Sequence, residues 1–215
     1  MKVYTMSMKA TVIFLWTLLS AVPSFALVFD FNDNKKPQDW KEEGGKWEVK
    51  NGEYRGEEPA ATEGVALIGE KGWTDLTIET TVRNAQGNWM ALVVRWNDKD
   101  NQYGWWVNLN GSTGEWWVKS AGQYAQDASG AIKLDRQEYK LKIVAKGNTF
   151  EGYFNDTVIA TMKHQQHKSG RTGLLVWEGG SSFDDIKIAG KGIPELAVNL
   201  SGKLATTWAR IRARY

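Results

Sequence analysis

Hydrophobic and polar residues alternate through most of the chain, in short runs that are separated by Gly, Asn and Asp. Residues 46–50, 76–82 and 139–145 alternate most regularly, and Asn51-Gly52 after the first run is typical of a hairpin turn. Side chains point alternately to the two faces of a strand, so these runs predict half-buried strands. No segment shows a sustained helical period. The recurring strand signals predict an all-β, two-sheet antiparallel sandwich or jelly roll.

Tryptophan is concentrated in the middle of this pattern. Six of the twelve tryptophans fall between residues 89 and 117, on three consecutive runs that predict strands. Because neighbours in a strand point to opposite faces, Trp105 and Trp106 must separate, and so must Trp116 and Trp117. Their apolar neighbours place Trp105 and Trp116 in the core. The other member of each pair is predicted on the outward face, where indoles suit ligands with apolar faces, such as sugars.

The same alternation assigns a set of outward residues on four runs. Leu92, Val94 and Trp96 are taken as the core face of the first run, which turns Arg95 outward. Indoles offer flat apolar faces, and Arg, Lys and Asn donate hydrogen bonds to hydroxyl or carboxylate groups, so the set predicts a concave carbohydrate-binding surface. An Arg together with a Lys leans towards an anionic or fructose-type sugar. The predicted ligand-binding residues are Arg95, Trp106, Asn108, Trp117, Lys119 and Trp177.

Two alternatives to this interpretation stay open. Loops could cover the outward face and make its tryptophans a second core layer, because large aromatic residues are buried more often than they bind ligands. A register shift by one residue would exchange the two sets of tryptophans. We therefore expect Trp106 and Trp117 to be required for binding, and Trp105 and Trp116 for stability, unless the register is inverted.

The N-terminus has the features of a secretory address. Lys2 and Lys9 precede the apolar run 10–22, which is short for a membrane span and leads into a small-x-small cleavage site. Residues 1–26 are therefore predicted to be a signal peptide, and the mature protein is expected to be secreted, extracellular or periplasmic. No second apolar stretch approaches the length of a transmembrane helix, so no membrane span is expected in the mature chain.

The remainder suits one domain, predicted over residues 27–190, because a Gly/Pro break then sets off a basic tail, residues 191–215. Without Lys2 and Lys9 of the signal, the 27 basic residues of the chain become equal in number to the 25 acidic ones. The charge is balanced and the aromatic residues are not interleaved with Lys and Arg, so nucleic acid is not an expected partner. The chain has no cysteine, so a large β core must stabilise it without disulfides.

Several short motifs follow one another in a recognisable order. They include FDFND at 29–33, WEVKNGEY at 47–54, ALVVRWND at 91–98, GRTGL at 170–174 and FDDI at 183–186. This order resembles the concanavalin A-like lectin/glucanase sandwiches, in particular their laminin-G-like and 3-keto-disaccharide-hydrolase-like branches, over residues 27–189. The resemblance implies the sandwich fold. It leaves the function open, because this fold hosts lectins, hydrolases, lyases and adhesive modules.

No catalytic residues are predicted. A retaining glycosidase needs two carboxylates about 5 Å apart, and the glucanases of the resembled fold carry them as a Glu-x-Asp-x-x-Glu-like cluster on a central strand. The central strands here carry Trp, Arg and Asn, while Glu115 and Glu178 each lack an obvious partner. We therefore predict carbohydrate binding without cleavage. A glycoside or 3-keto-disaccharide hydrolase, and a laminin-G-like adhesive or structural module, stay as alternatives.

This interpretation requires no cofactor. His164 and His167 lie in a polar connection without a neighbouring Cys or acidic residue, which favours a solvated loop over a zinc site. The first and last strands of such sandwiches usually lie side by side, so Asp30 and Asp184 are candidate ligands for a structural Ca²⁺. The simpler interpretation is that these carboxylates cap turns.

Overall fold

The computed structural model describes residues 27–193, so the predicted signal peptide and the tail from residue 194 onwards lie outside the described residues. This part of the chain consists of strands, turns and loops, without a helix. The alternating runs form strands because a period of two places one apolar face on the core. The thirteen strands are β1 (Leu27–Phe29), β2 (Lys41–Glu43), β3 (Lys46–Lys50), β4 (Glu53–Glu58), β5 (Gly64–Ile68), β6 (Leu76–Asp98), β7 (Asn101–Asn108), β8 (Thr113–Ser120), β9 (Gln123–Ala131), β10 (Glu138–Lys146), β11 (Thr149–Phe154), β12 (Thr157–Lys163) and β13 (Arg171–Gly190).

Two long neighbouring strands, β6 and β13, organise the fold. They are antiparallel along most of their length, and Gly87 lies opposite Gly179 near the middle. A Cβ on Gly87 would come within 2.0 Å of the carbonyl oxygen of Glu178, so the two backbones approach more closely here than a side chain would allow. Each strand contributes one half to each of two layers, since β6 pairs with β10 before this point and with β7 after it.

The strands form two layers in which each pairing is antiparallel. The first layer contains β9, β8, β7, the C-terminal half of β6, the N-terminal half of β13, β5 and β2, in that order. The second contains β12, β11, β10, the N-terminal half of β6 and the C-terminal half of β13, which also pairs with β1 and with the β3–β4 hairpin. The predicted all-β, two-sheet antiparallel sandwich is confirmed.

The core between the layers is built around two tryptophans that are fully buried, Trp105 on β7 and Trp116 on β8. The Trp105 indole donates a hydrogen bond to the carbonyl of Tyr153 on β11 (3.1 Å), and the Trp116 indole donates to the carbonyl of Ala160 on β12 (3.2 Å). A buried indole N–H needs such a partner, so these two bonds fix the rings while they connect the layers. Trp105 and Trp116 therefore face the core, as the alternation predicts.

A β-bulge near the end of β6 changes the orientation of its last residues. Val93 pairs with Gly173 whereas Trp96 pairs with Arg171, so β6 has one residue more than β13 between these pairs. Arg95 takes up the irregularity with a φ of 49°. Beyond the bulge the faces are reversed: Arg95 turns into the protein and Trp96 joins the outward face. The prediction that Arg95 faces outward is therefore wrong.

The last strand, β13, ends at Gly190, and the Ile193 side chain three residues later still packs into the core, with 7% of its surface exposed. Within residues 27–193 there is no helix long and apolar enough to cross a membrane.

Candidate functional site

Five aromatic side chains on the outward face of the first layer line a pocket of about 250 Å³. Each ring comes from a different one of five neighbouring strands. We call this pocket the aromatic cup; its lining residues are Trp89, Trp106, Trp117, Tyr124 and Trp177. The volume lies slightly below the roughly 300–1,000 Å³ of sites for drug-sized ligands, so the cup suits a group about the size of one sugar ring.

The strand register brings these rings together. Trp89 on β6 lies opposite Trp177 on β13, while the small residues Ala91 and Gly104 lie opposite Trp106 and Trp117. Gly104, opposite Trp117, leaves the space into which the Trp106 indole folds, because a Cβ on this glycine would lie 2.1 Å from Trp106 Nε1. The cup therefore depends on one missing side chain as well as on five large ones.

The rings are packed edge to face, so they surround a space instead of forming one flat platform. Trp106 lies within 5.8–6.1 Å, centroid to centroid, of Trp89, Tyr124 and Trp177, at interplanar angles of 65–88°. Trp117 lies 6.4 Å from Trp89 and 6.1 Å from Tyr124, again nearly perpendicular. Trp106 is 5% exposed and forms the base, while the other four rings are half-buried. A ligand in the cup would meet aromatic surface from several directions.

A buried carboxylate supports one side of the cup. Glu115 is 6% exposed, and its Oε2 accepts a hydrogen bond from Trp117 Nε1 at 2.8 Å. Its Oε1 accepts from the hydroxyl of Thr113 and from Asn108 Nδ2. These three bonds compensate for the removal of the carboxylate from water, and they hold the Trp117 ring in one orientation.

A second buried carboxylate, Glu63, supports the opposite side. It accepts hydrogen bonds from the Tyr124 hydroxyl and from Gln102 Nε2, and forms an ion pair with Lys119, whose Nζ lies 2.7 Å from Oε2. Both side chains of the ion pair are about nine-tenths buried. Burial, followed by the charge of Glu63, raises the pKa of Tyr124 well above its ordinary value. The Tyr124 hydroxyl therefore stays protonated and keeps donating to Glu63.

A second depression of about 460 Å³ adjoins the cup and shares Trp177 with it as a wall. We call it the polar groove, because charged side chains contribute much of its lining. Trp96 forms part of its surface, and the Trp96 Nε1 is buried without a hydrogen-bond partner among the described residues. The charged lining residues are Glu43, Glu63, Lys99, Asp100 and Lys119.

The structure brings together three of the six predicted ligand-binding residues in the cup: Trp106, Trp117 and Trp177. Lys119 lies in the polar groove, paired with Glu63. Asn108 is on the same face as Trp106 but supports the loop after β7, since its Oδ1 accepts a hydrogen bond from the Gly111 amide at 2.7 Å. A ligand-binding role stays a prediction for these residues.

Arg95 is remote from the cup, contrary to the prediction. It is 2% exposed, and its Nη1 and Nη2 donate to the carbonyls of His167 (3.0 Å) and Gly147 (2.5 Å). Its guanidinium lies 4.6 Å from the centre of the Phe150 ring. Burial lowers the Arg95 pKa, while Tyr103 and Asp75 act in the opposite direction. Arg95 therefore fastens connecting loops to the interior.

Three important site residues were not predicted. Trp89 opens a recognisable run, but its position before the regular alternation gave no face assignment. Tyr124 belongs to β9, an edge strand whose mostly polar composition, QYAQDASGA, gives no strand signal. Glu63 precedes β5 in a loop, and only the tertiary fold places it near β8 and β9. Among these three residues, only Tyr124 left a hint of a binding role in the sequence, as an aromatic residue flanked by small and polar ones.

The candidate calcium ligands do not form a metal site. Asp184 accepts a hydrogen bond from Arg83 Nη1 (3.1 Å), and Asp30 accepts a long bond from the Asn32 amide (3.5 Å). Residues 27–193 contain no group of three or more His, Cys, Asp or Glu side chains that is arranged to hold a metal ion. The negative charge of Asp184 is thus balanced by Arg83, which does not fit a calcium site. Asp30 accepts a hydrogen bond within a turn, as the simpler interpretation expects.

No protein-family model and no curated protein matches this chain. Solved structures do share its fold. The carbohydrate-binding module CBM66 from Bacillus subtilis has a TM-score of 0.64 and 21% identity, covering 71% of this chain and 96% of the module. The β-glucanase of Bacillus licheniformis has a TM-score of 0.59 and 10% identity, covering 78% and 99%. The carbohydrate recognition domain of Emp46p, in its metal-free form, has a TM-score of 0.59 and 14% identity, covering 78% and 97%.

These similarities establish the class of fold. The chain has the concanavalin A-like sandwich, as the order of its motifs predicts, and proteins with carbohydrate-binding and lectin-like domains share this fold. At these low sequence identities the structural similarity is evidence for the fold and not for the function.

Proposed function

We propose that this protein is a secreted, non-catalytic carbohydrate-binding module whose ligand site is the aromatic cup. The observation that carries the proposal is the convergence of five aromatic rings from five strands on one open pocket. Four of these rings are half-buried and present apolar surface to solvent, although burying them would be favourable. Exposed aromatic patches of this kind mark ligand or partner sites.

The shape of the cup favours a small ligand over a protein surface. The pocket is recessed and about the size of one sugar ring, and the neighbouring polar groove provides hydrogen-bonding groups for a second unit. Sugar rings combine apolar C–H faces with hydroxyl groups, which corresponds to this division between aromatic and polar surface. The carbohydrate-binding module and lectin-like domains of the same fold support the proposal by analogy. A laminin-G-like adhesive role would instead require these rings to be covered.

A hydrolytic role has less support from the geometry. Glu63 and Glu115 are the carboxylates that contact the rings of the cup, through Tyr124 and through Trp117 respectively. A glycosidase holds its two carboxylates on either side of one bond, about 5–9.5 Å apart. Both carboxylates here are instead occupied by internal hydrogen bonds.

The test is a glycan-array screen of residues 27–215, with and without Ca²⁺, followed by calorimetry and a product assay on each glycan that binds. We expect binding without product. Trp117→Ala and Trp177→Ala should each weaken binding by about tenfold or more, which is typical when an anchoring aromatic residue is removed. Tyr153→Ala is the matched control, because Tyr153 is a half-buried aromatic residue on the second layer. Product formation would move the protein to the hydrolases, and the absence of any binding glycan would refute the proposal.

A further inference from the structure

We infer that the aromatic cup selects saccharides that carry a protonated amino group over saccharides that carry a carboxylate. The inference rests on the proposed carbohydrate-binding function and adds the charge of the ligand. It departs from the sequence-based expectation of an anionic or fructose-type sugar, which depended on Arg95 and Lys119. Arg95 is buried in the interior, and the Lys119 ammonium is neutralised by Glu63 at 2.7 Å.

The first argument is the lining itself. No Lys or Arg lines the cup within the described part of the chain, and all its surface comes from Trp and Tyr rings. The face of an aromatic ring carries a negative potential, so a cation that is surrounded by several rings is attracted to them. Near-perpendicular packing turns different ring faces towards the same space, which is the arrangement of aromatic cages for ammonium groups.

The second argument is the charge directly behind the rings. Trp117 donates its indole N–H to Glu115, and Tyr124 donates its hydroxyl to Glu63. These two donors are therefore not available to a carboxylate ligand. The two buried carboxylates also make the potential at the ring faces more negative, because charges in a poorly solvated site act with little screening.

The third argument is the balance of charges around the cup. The cation beside the cup is Lys119, with its Nζ 4.8 Å from the centre of the Tyr124 ring. The two buried carboxylates, Glu63 and Glu115, against one ammonium leave a net negative charge beside the cup, which repels uronic or sialic acid groups and attracts an amino sugar.

The neighbouring groove extends this preference to a second sugar unit. Its lining carries the carboxylates of Glu43, Glu63 and Asp100 against the ammonium groups of Lys99 and Lys119. The Lys99 Nζ lies 2.8 Å from Asp100, so this cation is also neutralised by a neighbour. An amino-sugar disaccharide would thus meet a negative potential along both units.

The experiment compares four β-1,4-linked disaccharides that differ mainly in charge, by calorimetry on residues 27–215 below neutral pH. They are chitobiose with free amines, N,N′-diacetylchitobiose, cellobiose and cellobiouronic acid. We expect chitobiose to bind about tenfold more tightly than cellobiose, with cellobiouronic acid the weakest, since a cation in an aromatic site gains roughly this factor. The chitobiose affinity should fall as salt is raised. Equal affinities, or tighter binding of cellobiouronic acid, would overturn the inference.

Two substitutions test the source of the preference. Glu115→Gln keeps the size of the side chain and removes its charge, and it should reduce the ratio of chitobiose to cellobiose affinity severalfold. Glu63→Gln should act in the same direction, because it leaves the Lys119 ammonium without its counter-charge, and it serves if Glu115→Gln does not fold. Asp156→Asn is the matched control, because it removes one negative charge from the β11–β12 turn of the second layer. An unchanged ratio in both Gln variants would contradict the role assigned to the carboxylates.

A last titration separates this inference from the proposed function. If none of the four disaccharides binds, tetramethylammonium chloride is titrated against the tryptophan fluorescence, with sodium glucuronate in parallel. Quenching by tetramethylammonium that is lost in Trp177→Ala would support a cation-selective cup. In that case the preference of the cup for cations stands, while the absence of any binding glycan on the array would still refute the carbohydrate-binding function. No quenching by tetramethylammonium, or stronger quenching by glucuronate, would refute the charge preference even if neutral glycans bind on the array.

Discussion

Trp105 and Trp106 are adjacent in β7, yet their indoles lie on opposite faces of the first layer. The Trp105 ring is fully buried between the layers and donates its N–H to the carbonyl of Tyr153, whereas Trp106 forms the base of the cup. One dipeptide therefore contributes to both stability and the proposed ligand site, which makes the two functions separable by substitution.

Removing the core ring should affect stability. Trp105→Ala deletes a fully buried indole and leaves a cavity, so we expect the free energy of unfolding to fall by about 3–5 kcal/mol in urea denaturation. Trp177→Ala removes a half-buried ring from the rim and should cost less than about half of that amount, while it abolishes most of the glycan binding. The reverse pattern would contradict the assignment of the two faces.

Substitution of Trp106 does not separate binding from stability, although the alternation places this residue on the outward face. It is 5% exposed and contacts three other rings, so Trp106→Ala should lower stability as well as binding. Trp117 and Trp177 are therefore the better positions for testing the cup.

Gly104 provides a test of the shape of the cup that leaves all five rings in place. A Cβ at this position would lie 2.1 Å from Trp106 Nε1, so Gly104→Ala must displace the indole. We expect a loss of about 1–3 kcal/mol of stability, as in other overpacked sites, together with weaker glycan binding and a shifted tryptophan emission spectrum. Gly72→Ala is the control, because an added Cβ there meets nothing within 4 Å. Normal binding by Gly104→Ala would show that the position of Trp106 is not important.

Arg95 should behave as a structural residue. Arg95→Met retains much of the side-chain volume but leaves the carbonyls of His167 and Gly147 without their donor. We expect a loss of about 2–4 kcal/mol in urea denaturation, since unpaired buried polar groups are costly. The dissociation constant for glycan should change by less than about twofold, because binding energy changes little without a lost contact. Weaker binding at unchanged stability would return Arg95 to the ligand site.

The strands and the split of the tryptophan pairs were predictable because both follow from a period of two, which local sequence displays directly. The reversal at Arg95 was not, because a β-bulge at a non-glycine residue leaves no mark on the hydrophobic pattern. Tyr124 was missed for a related reason: β9 is an edge strand paired with β8 alone, so its sequence need not alternate. Glu63 and Lys119 are 56 residues apart, and such a pairing is visible only in the fold.

Buried tyrosines make stability depend on alkaline pH. Tyr54 is fully buried and donates to Glu42 Oε1 at 2.7 Å, and burial, followed by this hydrogen bond, raises its pKa well above the ordinary value. Burial likewise raises the pKa of Tyr124, and that of Tyr153 to about 12. In the unfolded chain each tyrosine loses its proton near pH 10. The unfolded state therefore binds fewer protons than the folded state above that pH.

The folded protein therefore loses stability at alkaline pH, because its tyrosines keep their protons to a higher pH than those of the unfolded chain. The stability that the three tyrosines contribute is fully present below about pH 10 and is lost as the pH rises, with a slope of about 1.4 kcal/mol per pH unit for each tyrosine. Tyr153 stops contributing to the slope near its folded-state pKa of about 12, whereas Tyr54 and Tyr124 continue. Urea denaturation between about pH 9 and 11.5 measures the slope. Tyr54→Phe and Tyr124→Phe should each make it shallower by about 1.4 kcal/mol per pH unit above pH 10. If both variants keep the wild-type slope, these hydroxyls ionise as readily in the folded protein as in water.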